Sequence, residues 1–256
     1  MPDWLAAWPF IADPLFYALA VPAVLLMGLG KSGFLSGFGA LATPLLSLLV
    51  PVPQAAAIML PLLLVMDATG LQQLWRDRDR VLLRQLLPAG LLGVAVGALL
   101  FGVLSTRAVA GLVGALTLAF LAQRLLFPPS PSSPPPPRWA AFALVTTSGF
   151  TSFMVHAGSP PLNAYLLPLR LKPITFAATS SVFFAAVNLA KWLPYAWLGL
   201  IDRTNLATSL LLLPLAPLGV WLGVWLTRRI EARWFYAVAY AGMFFTGSKL
   251  LWDGMR

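Results

Sequence analysis

Between Leu86 and Leu104 the chain carries no charged residue. A run of that length matches the roughly 20 apolar residues that a helix needs to cross the hydrocarbon core of a bilayer, and comparable runs recur along the sequence. A soluble α/β barrel would also have apolar strands, but it would interleave them with charged helix faces. Here only 10% of residues are charged, against about 25% in soluble domains, and the mean hydropathy is +0.84. The expectation is an all-α, polytopic transmembrane protein with little room for a soluble domain.

A second pattern narrows the architecture. LPAGLLGVAVG at 87–97 has a counterpart in LPLAPLGVWLG at 213–223, pairing Pro88 with Pro214, Gly93 with Gly219, Val94 with Val220 and Gly97 with Gly223 at one offset of 126. Gly33-Phe34, Ser36 and Pro44 align likewise with Gly149-Phe150, Ser152 and Pro160 at an offset of 116. This reads as a first repeat over 1–127, a Pro/Ser-rich linker over 128–138 and a second repeat over 139–256. The linker core, PPSPSSPPPP, cannot be an apolar spanning helix, because proline removes donors and favours extended backbone. Duplicated halves that pack across a midplane are a recurrent build of secondary transporters.

Apolar runs and their punctuation give ten segments: 14–30, 33–50, 54–75, 82–104, 107–127, 139–155, 159–170, 174–198, 205–227 and 233–252. The 159–170 segment is short enough for a half-helix or re-entrant piece, so eight full spans plus two partial ones compete with ten. The 17 basic residues lie mostly between the runs, which suits juxtamembrane positions and gives no single face for nucleic acid. With ten crossings, Arg76, Arg78, Arg80 and Arg84, Arg124 and Arg138, Arg170 and Lys172, and Arg228, Arg229 and Arg233 share one side with Lys31. That side is expected to be cytoplasmic. Five crossings per half then invert the second half relative to the first, leaving Arg107, Arg203, Lys249 and Arg256 outside. The first ten residues contain no Lys or Arg, so the first helix is expected to insert the chain and stay.

Two glycine-rich breaks carry the candidate chemistry. GKSGFLSGFGALATPLL at 30–46 and TTSGFTSFMVHAGSPPLNAYLLP at 146–168 interrupt the apolar runs with small and hydroxyl residues. Glycine lets backbone approach closely, and an interrupted helix exposes amides whose positive end holds an anion. Tight packing through small residues, with no substrate, fits the same glycines. Candidate substrate contacts are Gly37 and Gly39 in the first break and His156, Gly158 and Ser159 in the second. Thr179, Ser180, Asn188 and Lys191 follow on the next segment. Asp67 sits in PLLLVMDATG, where a carboxylate must be paired, protonated or turned to a polar cavity. Asp67 and the single His156 are the candidate proton carriers, with structural hydrogen bonding as the alternative role. Lys31 reads as an interfacial anchor or as an attractant for an anion. GLGKSG lacks the phosphate-loop spacing and its preceding strand. One histidine and no cysteine argue against a metal site, disulfides or thiolate chemistry, and no cofactor is expected.

These residues resemble the sulfite exporter TauE/SafE family over nearly the whole chain. GFLSGFGALATPLLSLL with PVPQAAAIMLPLLL is similar to the family's glycine-rich stretch, proline and following helix. HAGSPPLNAYLLPLRL, then TFAATSSVFFAAVNLAKWLPYAWLG at 175–199, is similar to its His-Ala-Gly-Gly-Pro-Pro type. The resemblance implies a permease of the bacterial inner (cytoplasmic) membrane that moves small anions such as sulfite, organosulfonates or related carboxylates, coupled to a proton or sodium gradient. Residue by residue it points to Gly37, Gly39, Pro44, His156, Gly158, Pro160, Pro161, Thr179, Ser180, Asn188, Lys191 and Pro194. Ala40 and Ser159 depart from the glycines common at those places and bear on pocket shape. The expected partners are a small anionic substrate, the bilayer and a coupling ion, and an oligomer is compatible with the sequence. A passive anion channel and a structural or assembly protein are the competing functions. The lack of a catalytic carboxylate pair argues against an enzyme.

Overall fold

The computed structural model describes residues 10–32, 38–101, 103–126 and 137–255. Gly37 and the core of the linker lie outside them. Among the described residues there is no strand; Phe101 and Leu104 form one isolated bridge. Most helices follow the apolar runs; the exception in the first half is 33–50, whose described residues hold only a 3-10 turn and one five-residue helix. In the first half they are α1 (Pro14–Lys31), the short α2 (Ala42–Leu46) preceded by a 3-10 turn at Gly39–Leu41, α3 (Val52–Leu74), α4 (Arg80–Leu100) and α5 (Thr106–Leu126). After the linker come α6 (Arg138–Val155), α7 (Ser159–Leu166), α8 (Pro173–Trp197), α9 (Arg203–Leu212), α10 (Leu215–Thr227) and α11 (Ala232–Met255).

Polar residues at the ends of the runs start the helices. Asp13, Asp79 and Asp202 accept from the first free amides of α1, α4 and α9, satisfying donors that have no intrahelical partner. Prolines stand in the first turn of α1, α3, α7 and α8, where their missing N–H costs nothing. The run expected to be continuous over 205–227 is broken: α9 and α10 meet at a 46° bend, at Pro214.

Among the described residues, helices α1, α3, α4 and α8 are long and apolar enough to cross a membrane, and α9 with α10 is so only as a pair, as a broken span or a re-entrant loop. The outer surface is lipid-like, with Leu99 80%, Leu193 79% and Trp197 91% exposed. Trp75, Trp139, Trp197 and Trp234 are exposed near helix ends, the position that amphipathic rings take at a membrane–water boundary. The protein is an all-α, multi-pass membrane protein.

Packing is reciprocal. Helix α1 packs on α10 and α6 packs on α4, α3 crosses α8, and α5 crosses α11. Contacts run in step along α1 and α10, where Gly28 meets Gly219 and Ser32 meets Gly223, and along α6 and α4, where Thr146 meets Gly93 and Phe153 meets Gly97. Each of these pairs is therefore parallel. Asp67 meets Asn188 and Gly70 meets Ser181, so α3 and α8 are antiparallel, as are α5 and α11, where Gly111 meets Gly254 and Thr117 meets Gly247. Small residues carry these crossings because helices in lipid gain by close van der Waals approach. A Cβ at Gly149 would lie 2.0 Å from the Gly90 carbonyl oxygen.

The arginine clusters gather at one end. Arg228, just after α10, donates to the Gln73 carbonyl at 2.8 Å and pairs with Asp77 at 3.4 Å, and the Asp79 amide donates to Thr179 near the start of α8. Arg76, Arg78, Arg80, Arg228 and Arg229 thus share that end with the first turns of α8.

Candidate functional site

Helices α3 and α8 cross at the centre of the molecule, and the polar residues of both lie at the crossing. Asp67 and Asn188 occupy matching places, each equally far from the first residue of its helix (Val52 and Pro173). Asn188 Nδ2 donates to Asp67 Oδ2 at 2.6 Å. Lys31, the last residue of α1, donates to the other carboxylate oxygen at 2.5 Å. Lys31 and Asp67 are only 8% and 3% exposed, so this is a buried ion pair with both carboxylate oxygens engaged. Of the two readings of Lys31, the interfacial anchor is corrected: its side chain is buried against Asp67, which compensates its charge.

The second cluster is built by the break after α6. His156 follows Val155 in the left-handed region at φ 53°, a conformation that costs a non-glycine residue about 1–2 kcal/mol. Neighbours over-determine it. Tyr195 Oη donates to the Phe153 carbonyl at 2.7 Å, Thr151 Oγ1 to the Ala157 carbonyl at 2.9 Å and Ser148 Oγ to the Gly158 carbonyl at 2.6 Å. His156 Nε2 lies 3.0 Å from the Ala56 carbonyl on α3, while Nδ1 lies 3.0 Å from both the Ser152 carbonyl and Lys191 Nζ. Donation from Nε2–H to Ala56 leaves Nδ1 two options. It accepts from the Lys191 ammonium or, when protonated, it donates to Ser152. Lys191 has no exposed surface and, among the described residues, forms no ion pair.

Between the clusters lies a cavity of ≈ 30 Å³, enough for about two or three waters at roughly 10–15 Å³ each. Its polar wall includes Lys31, Ser152, His156, Ser159, Ser180 and Asn188, and Gly39 closes it from the first break. Ser180 Oγ is buried there without a hydrogen-bond partner. Phe184 lines it too, with Lys31 Nζ 5.2 Å from its ring centre, a distance at which the cation is attracted to the ring face.

Of the residues singled out in the sequence, Gly39, His156, Ser159, Ser180 and Asn188 line one cavity, Asp67 stands behind Asn188, and Lys191 stands behind His156. Thr179 lies elsewhere, tying the Asp79 amide at the arginine end. Gly158 is a packing residue: a Cβ there would lie 2.8 Å from the Ser148 carbonyl oxygen and 2.9 Å from the Phe184 ring. Gly37 is outside the described residues. Ser152 and Asn163 also line the cavity and were not candidates. Asn163 was legible in principle, one turn after Ser159 on the same face of α7.

The matching family is the sulfite exporter TauE/SafE family, over residues 20–250. The chain belongs to the TauE/SafE family. It is accordingly a membrane transport protein of the permease type. No match was found among curated proteins or among solved structures. In this TauE/SafE protein the family's second glycine-rich stretch is the wall that carries His156 and Ser159.

Proposed function

We propose that this permease carries a small oxyanion, sulfite or an organosulfonate, across the bacterial cytoplasmic membrane by alternating access, with the central cavity as its binding site once the helices that line it separate, since the ≈ 30 Å³ seen here is smaller than such an anion. The observation that carries the reading is Lys191: a lysine with no exposed surface, no ion pair among the described residues, and a hydrogen bond to the histidine that lines the cavity. Lys31 is neutralised by Asp67. Asp67 also attracts Lys191, but without direct contact, so with both lysines protonated one carboxylate faces two ammonium groups and a net positive charge is left in a place where such a charge is strongly disfavoured. An anion in the cavity compensates it, with Ser180 and Asn188 as donors.

Proton coupling follows from the same pair. Lys191 and His156 share a proton along the Nζ···Nδ1 contact, and it is retained while the anion is present and released more readily once the anion has left. Both carboxylate oxygens of Asp67 are occupied, so Asp67 serves as the fixed counter-ion of Lys31 and the proton belongs to His156 and Lys191. The reciprocal packing supports two inverted halves, since antiparallel crossing of matching helices is the relation that a two-fold axis in the membrane plane produces.

The test is flux of labelled sulfite and methanesulfonate in proteoliposomes, with pH and sodium gradients varied independently. Saturable, pH-gradient-driven flux that is lost in Lys191→Met and loses its pH dependence in His156→Asn is the expected result; asparagine tolerates the left-handed backbone. Non-saturating flux that is indifferent to gradients would make the protein a channel, and unchanged flux in both variants would remove the pair from the mechanism.

A further inference from the structure

We infer that the larger cavity at the end of the molecule away from the arginine clusters is a second anion site, an antechamber to the central one. It lies between α2, α5 and α11 and measures ≈ 220 Å³, against ≈ 30 Å³ for the central cavity. Its charged wall is Arg107 at the start of α5 and Lys249 and Asp253 near the end of α11, two cations and one carboxylate. Lys249 Nζ lies 2.5 Å and 2.6 Å from the two Asp253 oxygens, and this pair is partly exposed, at 26% and 30%. A third observation points to a ligand: Thr43, 1% exposed, lines the chamber and its hydroxyl is buried without a partner. Buried hydroxyls are nearly always hydrogen-bonded, and a chamber ligand would supply the missing partner.

The chamber touches the central site on three elements. Val155, on its wall, is followed directly by His156. Val52 is one helical turn from Ala56, whose carbonyl faces His156 Nε2. Thr43 is one turn from Gly39, which closes the central cavity. The His156 ring thus lies at the partition. The chamber end of α3 and its arginine end are separated by roughly 34 Å at 1.5 Å per residue, so the antechamber opens on the side opposite the arginine clusters.

The chemistry fits a small, singly or doubly charged oxyanion that exchanges rapidly. Asp253 acts as a resident anion that an incoming one displaces from Lys249. That competition keeps binding weak enough for onward movement, the compromise that conducting sites require. The role as a stop on the path rests on the transport reading; anion preference in the chamber does not.

The test uses the absence of cysteine from the chain. Leu48, on the chamber wall and 60% exposed, is replaced by Cys in the full-length protein in liposomes. Its modification by anionic and cationic methanethiosulfonates of similar size is then timed against the same reagents on a free thiol. The expected result is a preference for the anionic reagent of about fivefold, the size of a one-charge field felt across several ångströms of water-like medium. On that background Asp253→Asn raises the preference and Lys249→Gln lowers it. Opposite signs are the signature of a field, because a merely structural role of the pair moves both variants the same way. No anionic preference, or shifts of equal sign, overturns the assignment. In flux assays from the chamber side Asp253→Asn lowers KM and Lys249→Gln raises it, with the maximal rate within about twofold. If methanesulfonate is not transported at all, the transport reading fails while the labelling result still decides the chamber.

Discussion

The two long helices that cross at the centre carry different chemistry at matching places. On α3 the residue is Asp67, locked by Lys31 into a buried ion pair. On α8 it is the neutral Asn188, and Lys191, one turn further on, has His156 as its hydrogen-bond partner among the described residues. One side of the crossing is electrostatically closed and the other is left open. Reciprocal packing supplies the frame, and the charges differ across it: Lys31 touches its carboxylate, whereas Lys191 is hydrogen-bonded to a histidine and interacts with Asp67 without direct contact.

The comparison breaks most visibly at Asp67. Asp67→Ala strands Lys31 in the interior and is expected to cost about 3–5 kcal/mol in unfolding from detergent micelles, with most of it restored by adding Lys31→Met. A loss below about 1 kcal/mol would mean that the closed side is not closed. Asn188→Ala removes a hydrogen bond to a carboxylate and is expected to cost about 1.5–3 kcal/mol in the same assay. Gly149→Ala probes the helix crossings themselves. A methyl group would press on the Gly90 carbonyl at 2.0 Å, whereas at Gly28 it would meet Gly219 at 2.9 Å. Overpacking typically costs about 1–3 kcal/mol, so Gly149→Ala belongs near the top of that range and Gly28→Ala near the bottom; thermal unfolding ranks them.

Lys191→Met inverts the pattern of Asp67→Ala. It takes out of the interior an ammonium group that Asp67 attracts without direct contact, so stability is held or raised, while flux falls at least tenfold, equivalent to about 1.4 kcal/mol of barrier. Parallel unfolding and flux measurements check both halves of that statement, and a variant that unfolds easily would place Lys191 with the structural ion pair. The smallest effect is expected at the arginine end. Asp77→Asn loosens an exposed contact with Arg228 and changes stability by about 0–1 kcal/mol, fading in added salt.

A second contrast, between α4 and the α9–α10 pair, shows how far sequence patterns reach. Pro88 sits inside the continuous α4, while Pro214, its aligned counterpart, stands at the 46° bend. The second stretch carries an additional proline, Pro217, where α4 has Leu91. Two prolines remove two amides and add two ring clashes within one turn, a difference visible in the letters although the angle is not.

The chain alone determined the helical class, because charge-free runs of spanning length have few other ways to satisfy their backbone in lipid. It also determined where several helices begin, with Asp13, Asp79 and Asp202 as caps, and marked the second interruption through the glycine and prolines after His156, though it left 205–227 as one run. Asp67, Asn188, His156 and Lys191 were legible as anomalies, polar groups in apolar surroundings. Only the tertiary structure decided their partners. Lys31 reaches Asp67 across 36 residues and His156 reaches the Ala56 carbonyl across 100. Thr179 turns to the Asp79 amide at the arginine end, and Arg107 and Lys249 come together around one chamber. Helix boundaries follow from residues a few positions apart. Which face meets which depends on the rotation and crossing of whole helices, set by contacts such as Gly28 on Gly219 and Gly149 on Gly90.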